Sequence, residues 1–388
     1  MSVLFQIVLP FLVAFCVVLW VFPKLLNLAL SKNLVDNPDA RKLQKRPIPV
    51  LGGMAVFFGI SVAMMVAMIY DYHPNLFGIF LAMGIMLYIG TMDDLMGLSP
   101  NLRFLVEIVV VLMLIYVNRC QMDDFHGLFG VGLIPMWASV PLTVFAAVGI
   151  INAINLIDGV NGLSSGYCVM ACIVFGAFFY QSGDVPMVIL AAVSAGALIP
   201  FFLHNVFGLS SKMFIGDGGT LVMGVVMATF VAYALFHGSL AASAFPASVG
   251  LIPFTLAALS VPVFDTLRVM VSRILRGVSP FHPDKTHLHH IFIALGCSHS
   301  VTTVSILTIN FAIVLCWLAM AKLGWSVNCQ LYVVIALGFL ATTGLYHFLD
   351  AQIKKQTKMY NLLNRLGEYM HFERRGIFLW LQKTMDKL

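Results

Sequence analysis

Two adjacent carboxylates, Asp93 and Asp94, stand at the end of an apolar run in "TMDDLMGLSPNLR" (residues 91–103). A helix C-terminus is already negative and disfavours each of them by about 1 kcal/mol or less. A cation, or a proton to be abstracted, explains the pair better than a solvated loop does. In "NAINLID", Asn152, Asn155 and Asp158 recur every three residues and spread over about 120° of one helical face. Such groups at a span end must hydrogen-bond to neighbouring helices or bind a ligand, and both readings stay open. In "GDGG" (216–219), Gly216 and Gly218 free the backbone, and the following helix offers N–H groups to an anion. Asp217 beside them suits a divalent cation bridging to phosphate, although a tight turn alone would account for the glycines. Further on, Asp265 and Arg268 read as a local i,i+3 ion pair. Arg273 and Arg276 then lead into "SPFHPDKTHLHH" (279–290), which holds four of the chain's 11 histidines beside Asp284 and Lys285. His287 and His290 share a helical spacing that would suit zinc, but no cysteine lies nearer than Cys297. The carboxylates offer a better metal site, for Mg²⁺.

What must position these groups is an unusually oily chain. Of 388 residues, 60% are hydrophobic and 10% charged, too few charges for a water-facing surface. Apolar runs near the roughly 20 residues that a bilayer requires fall at 4–30, 51–70, 76–92, 104–118, 136–157, 163–181, 187–206, 220–240, 249–267, 301–321 and 331–349. The expected fold is therefore an all-α polytopic membrane protein of about eleven transmembrane helices. The first run lacks a basic flank and a cleavage site, so it reads as a retained span. The cysteines, mostly within apolar runs, read as free buried thiols.

Alternating the loops with the N-terminus outside leaves only Arg119 and Lys322 of the 22 Lys and Arg residues on the external side. The positive-inside rule then puts the C-terminus in the cytoplasm. The polar clusters all fall on that same side, in five internal loops, so the active side is expected to face the cytoplasm. Residues 1–350 form the membrane domain. Residues 351–388, with eight basic residues among Leu, Phe, Tyr and Trp, read as an amphipathic tail lying on anionic headgroups. Asp123 and Asp124 lie on the opposite side and are set aside.

The span interiors are nearly free of ionisable residues, which disfavours a proton or ion relay. Glu107, four residues after Arg103, is the main exception. An interfacial enzyme bringing two phosphorylated molecules together fits better. Like charges 4 Å apart repel by about 4 kcal/mol at an effective dielectric of 20, so a metal and basic clamps would be required, and the loops supply both.

Taken in order, "RKLQKRPIPVLGG", the aspartate pair, "NAINLIDGVNGL", "FIGDGG" and "SPFHPDKTHLHH" resemble the loops of the polyprenyl-phosphate N-acetylhexosamine-1-phosphate transferases. The resemblance spans about residues 30–295. His-Leu-His-His is similar to the block of the bacterial undecaprenyl-phosphate N-acetylglucosaminyl-1-phosphate branch. The phospho-N-acetylmuramoyl-pentapeptide branch is the alternative, and a transporter or lipid scaffold that kept the loops is an alternative of another class. The resemblance implies transfer of a sugar-1-phosphate from a UDP-sugar to undecaprenyl phosphate, with release of UMP. It further implies Mg²⁺, with Mn²⁺ as a substitute, an inner-membrane location, initiation of a cell-surface polysaccharide, and a homodimer by analogy; no nucleic-acid partner is expected. On this chain it implies Asp217 as metal ligand with Asp94. Asp93 and Asp94 would act on the lipid phosphate, with Asn155 and Asp158 at the nucleotide and metal. His287, His289 and His290, with Arg276 and Lys285, would hold the diphosphate and sugar. Lys45 or Arg46, Asn152, Gly216 and Gly218 would contact substrate. Gln44, Gly97 and Asn161 depart from the family pattern, and Asn161 removes a negative charge beside the expected metal.

Overall fold

In a computed structural model the described residues are 3–36, 47–70, 72–281, 284–370 and 376–387. The chain runs α1 (Val3–Ser31), β1 (Val35–Asp36), β2 (Ile48–Pro49), α2 (Gly52–Tyr70), α3 (Pro74–Met96), α4 (Pro100–Asn118), α5 (Met136–Leu156), α6 (Leu163–Ser182), α7 (Val185–Phe207) and α8 (Gly216–Leu235). It continues through α9 (Leu240–Ala244), α10 (Leu251–Ala258), α11 (Ser260–Leu275), α12 (Leu288–Ala294), α13 (His299–Lys322), α14 (Val327–Phe339), α15 (Leu345–Lys355), α16 (Lys358–Tyr369) and α17 (Ile377–Met385). A π-helical turn, Leu340–Gly344, joins α14 to α15 into one span. Among the described residues ten helices are long and apolar enough to cross a membrane, eleven when the bent pair α10–α11 counts as one. Helices dominate because a bilayer interior leaves backbone groups no partner but one another.

The ninth span bends by 75° between α10 and α11, and Pro262 accounts for it. A proline three residues into α11 has no N–H to give and its ring clashes with the carbonyl four residues back, that of Ala258. The carbonyl set free accepts from the Tyr167 hydroxyl at 2.7 Å and from Asn310 Nδ2 at 3.1 Å. Asn310 Oδ1 meanwhile accepts the Val261 N–H at 2.9 Å, so these backbone groups at the break keep partners in the apolar core.

At the centre stands α8, buried along its whole spanning stretch. It approaches α3 closely because Gly90 has no side chain: a Cβ there would lie 2.5 Å from the Asp217 carbonyl carbon and the Gly218 nitrogen. That contact brings the end of α3 against the start of α8. Polar connections gather at this end of the bundle. At the opposite end Asp123 accepts from the His237 amide at 2.9 Å and from His237 Nδ1 at 2.6 Å, while Phe129 N donates to Asn328 Oδ1 at 2.8 Å. Of the aspartates set aside above, Asp123 thus ties two connections together at that end, while Asp124 accepts the His126 N–H within its own loop.

Helix α3 runs four residues past the apolar stretch, so Asp93 and Asp94 lie at its C-terminal end, as the sequence implied. One detail differs from the sequence expectations. The tail is two helices, α16 and α17, and the last span continues to Lys355 before them.

Candidate active site

Four helices deliver one acidic cluster. Asp93 and Asp94 come from α3, Arg103 and Glu107 from α4, Asn152 and Asn155 from α5, and Asp217 and Thr220 from α8. Arg103 is their common partner. Its Nη1 lies 3.1 Å from Asp93 Oδ2 and 3.5 Å from Asp217 Oδ2, and its Nε lies 3.4 Å from Glu107 Oε1. Its Nη2 donates to Asn152 Oδ1 at 3.1 Å and Asn155 Oδ1 at 3.3 Å. Asn155 in turn donates to Asp217 Oδ1 at 2.7 Å and Thr220 Oγ1 at 2.8 Å.

Asp94 has a different task. Its Oδ1 accepts the Asp217 N–H at 3.0 Å and its Oδ2 the Gly218 N–H at 3.3 Å. It therefore occupies the N-terminus of α8, where unpaired N–H groups and the helix dipole favour an anion. Asp93 Oδ1 accepts the Leu98 N–H at 2.7 Å, which fixes the chain as it leaves α3.

Asp93, Asp94, Asn155 and Asp217 floor a cleft of about 940 Å³, whose walls come from the β1–β2 region, the 158–161 turn, the α7–α8 connection, His290 and His299. Asp158 opens onto it. Although its side chain is exposed to the cleft, the protein packed around it pushes its carboxyl up to about 6, against the Ser164 hydroxyl bond and with added repulsion from Asp217. Lys212 is the one lysine or arginine among the described residues that line the cleft.

The histidine stretch is stapled behind this wall. Asp265 Oδ2 accepts from His287 Nδ1 at 3.0 Å and from the Leu288 N–H at 3.2 Å, while its Oδ1 accepts from Arg268 Nη2 at 2.7 Å. The Arg268 guanidinium lies 3.8 Å over the Tyr346 ring. Asp284 accepts from Arg273 Nη2 and Arg276 Nη2, both at 2.9 Å, and these contacts hold its carboxyl well below the usual range despite burial. The His287 and His289 rings lie parallel, 5.7 Å apart, and His289 leans over Gly159, where a Cβ would collide with the imidazole. Burial and neighbouring charge depress His289 strongly and His290 to about 4. Both are neutral near pH 7.

The structure brings Asp93, Asp94, Asn155, Asp158, Gly216, Asp217 and His290 to the cleft surface. It places other expected residues away from the cleft surface. Asn152 sits behind the floor, donating to Glu107 Oε2 and to Val148 O. His287 and His289 are buried behind His290, and Gly218 contributes its amide to Asp94 instead of lining the cleft. Arg276 is turned to Asp284, and neither it nor Lys285 is among the lining residues. His289 and His290 thus offer neutral hydrogen-bonding edges and not fixed positive charge. Gly97 ends α3 in an open position with positive φ. Asn161 donates its N–H to His299 Nδ1 at 3.1 Å. Lys45, Arg46 and Gln44 lie outside the described residues.

Arg103 is the residue that sequence reasoning undervalued, having paired it with Glu107 alone. A charge that close to a nearly uncharged span requires several partners, and that was its available signal. Asp265 carried the same signal: it does pair with Arg268 as expected, yet it also anchors His287. Lys212 and His299 carried no signal beyond their residue type.

Oxygen donors only, with carboxylates outnumbering the single guanidinium, suit a hard divalent cation. Among the described residues no group of three or more His, Cys, Asp or Glu side chains is arranged to hold a metal alone. Mg²⁺ binds through one or two carboxylates and takes its remaining ligands from water and substrate phosphate.

Known proteins resemble this chain over most of its length. A family model for glycosyl transferase family 4 matches residues 76–235. A Bacillus subtilis protein named "probable undecaprenyl-phosphate N-acetylglucosaminyl 1-phosphate transferase" is 30% identical, over 92% of this chain and 97% of its own. The undecaprenyl-phosphate alpha-N-acetylglucosaminyl 1-phosphate transferase of Yersinia pestis is 30% identical over 70% of this chain and 72% of its own. The decaprenyl-phosphate N-acetylglucosaminephosphotransferase of Mycolicibacterium smegmatis is 31% identical over 70% and 71%.

Proposed function

This chain belongs to the polyprenyl-phosphate N-acetylhexosamine-1-phosphate transferases of glycosyl transferase family 4, and on that premise we propose that it moves GlcNAc-1-phosphate from UDP-GlcNAc to undecaprenyl phosphate. The observation that carries this reading is the carboxylate floor around Arg103 beneath a cleft walled by Lys212 and His290. Acids to hold a cation and one basic side chain to meet phosphate share a single opening. The basic-residue asymmetry supports a cytoplasmic face at the inner membrane, and the product would start a cell-surface polysaccharide.

In the reaction a lipid phosphate oxygen bonds to the β-phosphorus of the nucleotide, and the bond from that phosphorus to the bridging oxygen breaks. UMP leaves and a lipid diphosphate sugar remains. Asp217, with Asp94 beside it, would hold Mg²⁺, which when bound would offset the negative charge of the phosphates. Asp94 orients Asp217 through its backbone, Arg103 offsets the repulsion between Asp93 and Asp217, and Asn155 aims the Asp217 carboxylate. Lys212 would meet the diphosphate at the cleft wall, and His290 would hydrogen-bond the substrate as a neutral ring.

Purified protein given UDP-GlcNAc, undecaprenyl phosphate and Mg²⁺ should release UMP and form a lipid-linked sugar. Competing UDP-sugars in the same assay would identify the preferred hexosamine. Release no greater than that of Asp217→Ala for every UDP-sugar would overturn the reading.

A further inference from the structure

The connection between α7 and α8 walls the cleft through Leu209, Ser210, Lys212 and Phe214. Its far end is sewn to the start of α2. Phe214 N donates to Pro49 O at 2.8 Å, and the Gly52 and Gly53 amides donate to Phe214 O and Ile215 O at 3.0 and 2.8 Å. Asn205 Nδ2 holds Met213 O at 2.8 Å. The middle of the loop is held differently. The consecutive amides of Leu209, Ser210 and Ser211 all donate to one atom, Asp386 Oδ1, at 2.9, 3.0 and 3.1 Å. The Ser211 hydroxyl adds a fourth bond to it at 3.1 Å.

Three successive N–H groups turned to one point make an anion-binding concavity, and here the chain's own carboxylate fills it. Asp386 caps the C-terminal end of α17. That helix is seated by Phe378, whose ring centroid is 4.8 Å from that of Phe207. Behind the concavity, His204 Nδ1 lies 3.2 Å from Ser211 Oγ, so the contact is backed by the buried end of α7. The loop so held carries Lys212, the one lysine or arginine among the described lining residues.

We propose that Asp386 is a positioning residue: α17 is a strap whose carboxylate sets the backbone of residues 209–211 and thereby aims Lys212 at the substrate diphosphate. The part concerning the diphosphate rests on the reaction assigned above. The loop backbone has no sheet or helix of its own to fix it, and a carboxylate accepting four bonds supplies that order from outside.

Full-length protein carrying Asp386→Ala, Asp386→Asn, Lys212→Met or Asp386→Ala with Lys212→Met tests this. Amides 209–211 should exchange with deuterium about tenfold faster in Asp386→Ala, and Asp386→Asn, which keeps an acceptor oxygen, should retain part of the protection. KM for UDP-GlcNAc should rise about tenfold in Asp386→Ala with kcat within about twofold. The double variant should be no worse than Lys212→Met, because the two residues act in one chain of cause. Unchanged exchange would overturn the strap, as would effects that multiply in the double variant, or a joint loss of kcat and thermal stability. The exchange measurement needs no turnover. A protein that never released UMP would therefore refute the assigned reaction while the amides still decided the strap.

Discussion

The amide of Asp217 donates to Asp94 Oδ1 at 3.0 Å, so the acid at the end of α3 holds the acid at the start of α8 through its backbone. Both Asp94 oxygens are engaged by N–H groups of α8. An oxygen in that position is poorly placed to attack phosphorus, which favours direct transfer over an aspartyl-phosphate intermediate.

Without lipid phosphate, UDP-GlcNAc should therefore yield no UMP in a single-turnover experiment, and mass spectrometry should find Asp94 unmodified. A stoichiometric burst of UMP would refute direct attack. Asp94→Asn should keep one acceptor and leave one α8 amide unpaired, a cost of about 1–3 kcal/mol, read as a tenfold to hundredfold lower kcat.

Arg103 is the countercharge for Asp93, Glu107 and Asp217 together. Arg103→Met should leave the buried Glu107 and its neighbours uncompensated, costing about 3 kcal/mol of stability. Pairing it with Glu107→Gln should recover part of the loss, seen as a rise in Tm in detergent. Additive effects of the two changes would argue against a shared network.

The Asp158 carboxyl at the cleft wall is pushed up to about 6 by the protein around it. If its ionised form serves the nucleotide and metal, kcat/KM should climb with pH up to about 6 and level above it, because the proton is lost in that range. Asp158→Asn should remove this limb. A profile unchanged by the substitution would assign the limb to another group.

His290 is neutral in the folded protein down to about pH 4, whereas an unfolded histidine takes its proton near 6.5. Between those values the unfolded state binds more protons, so stability should fall as pH drops from about 6.5 towards 4 and be complete above 6.5. His289, more deeply buried, should act in the same sense. Thermal melts across that window should flatten in His290→Gln, and an identical slope in the variant would contradict the assignment.

The sequence by itself determined the membrane class, the number and order of the spans, and the gathering of acids and histidines into loops on one side. Those follow from apolar run length and residue type, which are local properties. The break in the ninth span was not legible, because Pro10, Pro23, Pro141 and Pro200 also lie inside spans and leave them continuous. Only the tertiary structure decided which polar groups face the cleft and which stand behind it. Asn152 and Asn155 share a helical face, yet one turns to buried Glu107 and the other to Asp217. His287 and His290 share a helix end, yet Asp265 draws one inward while the other reaches the cleft. Arg103 became central because α3, α5 and α8 converge on α4, with Gly90 letting α3 close on α8. Partner choice among charges depends on distances of a few ångströms between segments far apart in the chain, and no local pattern encodes those distances.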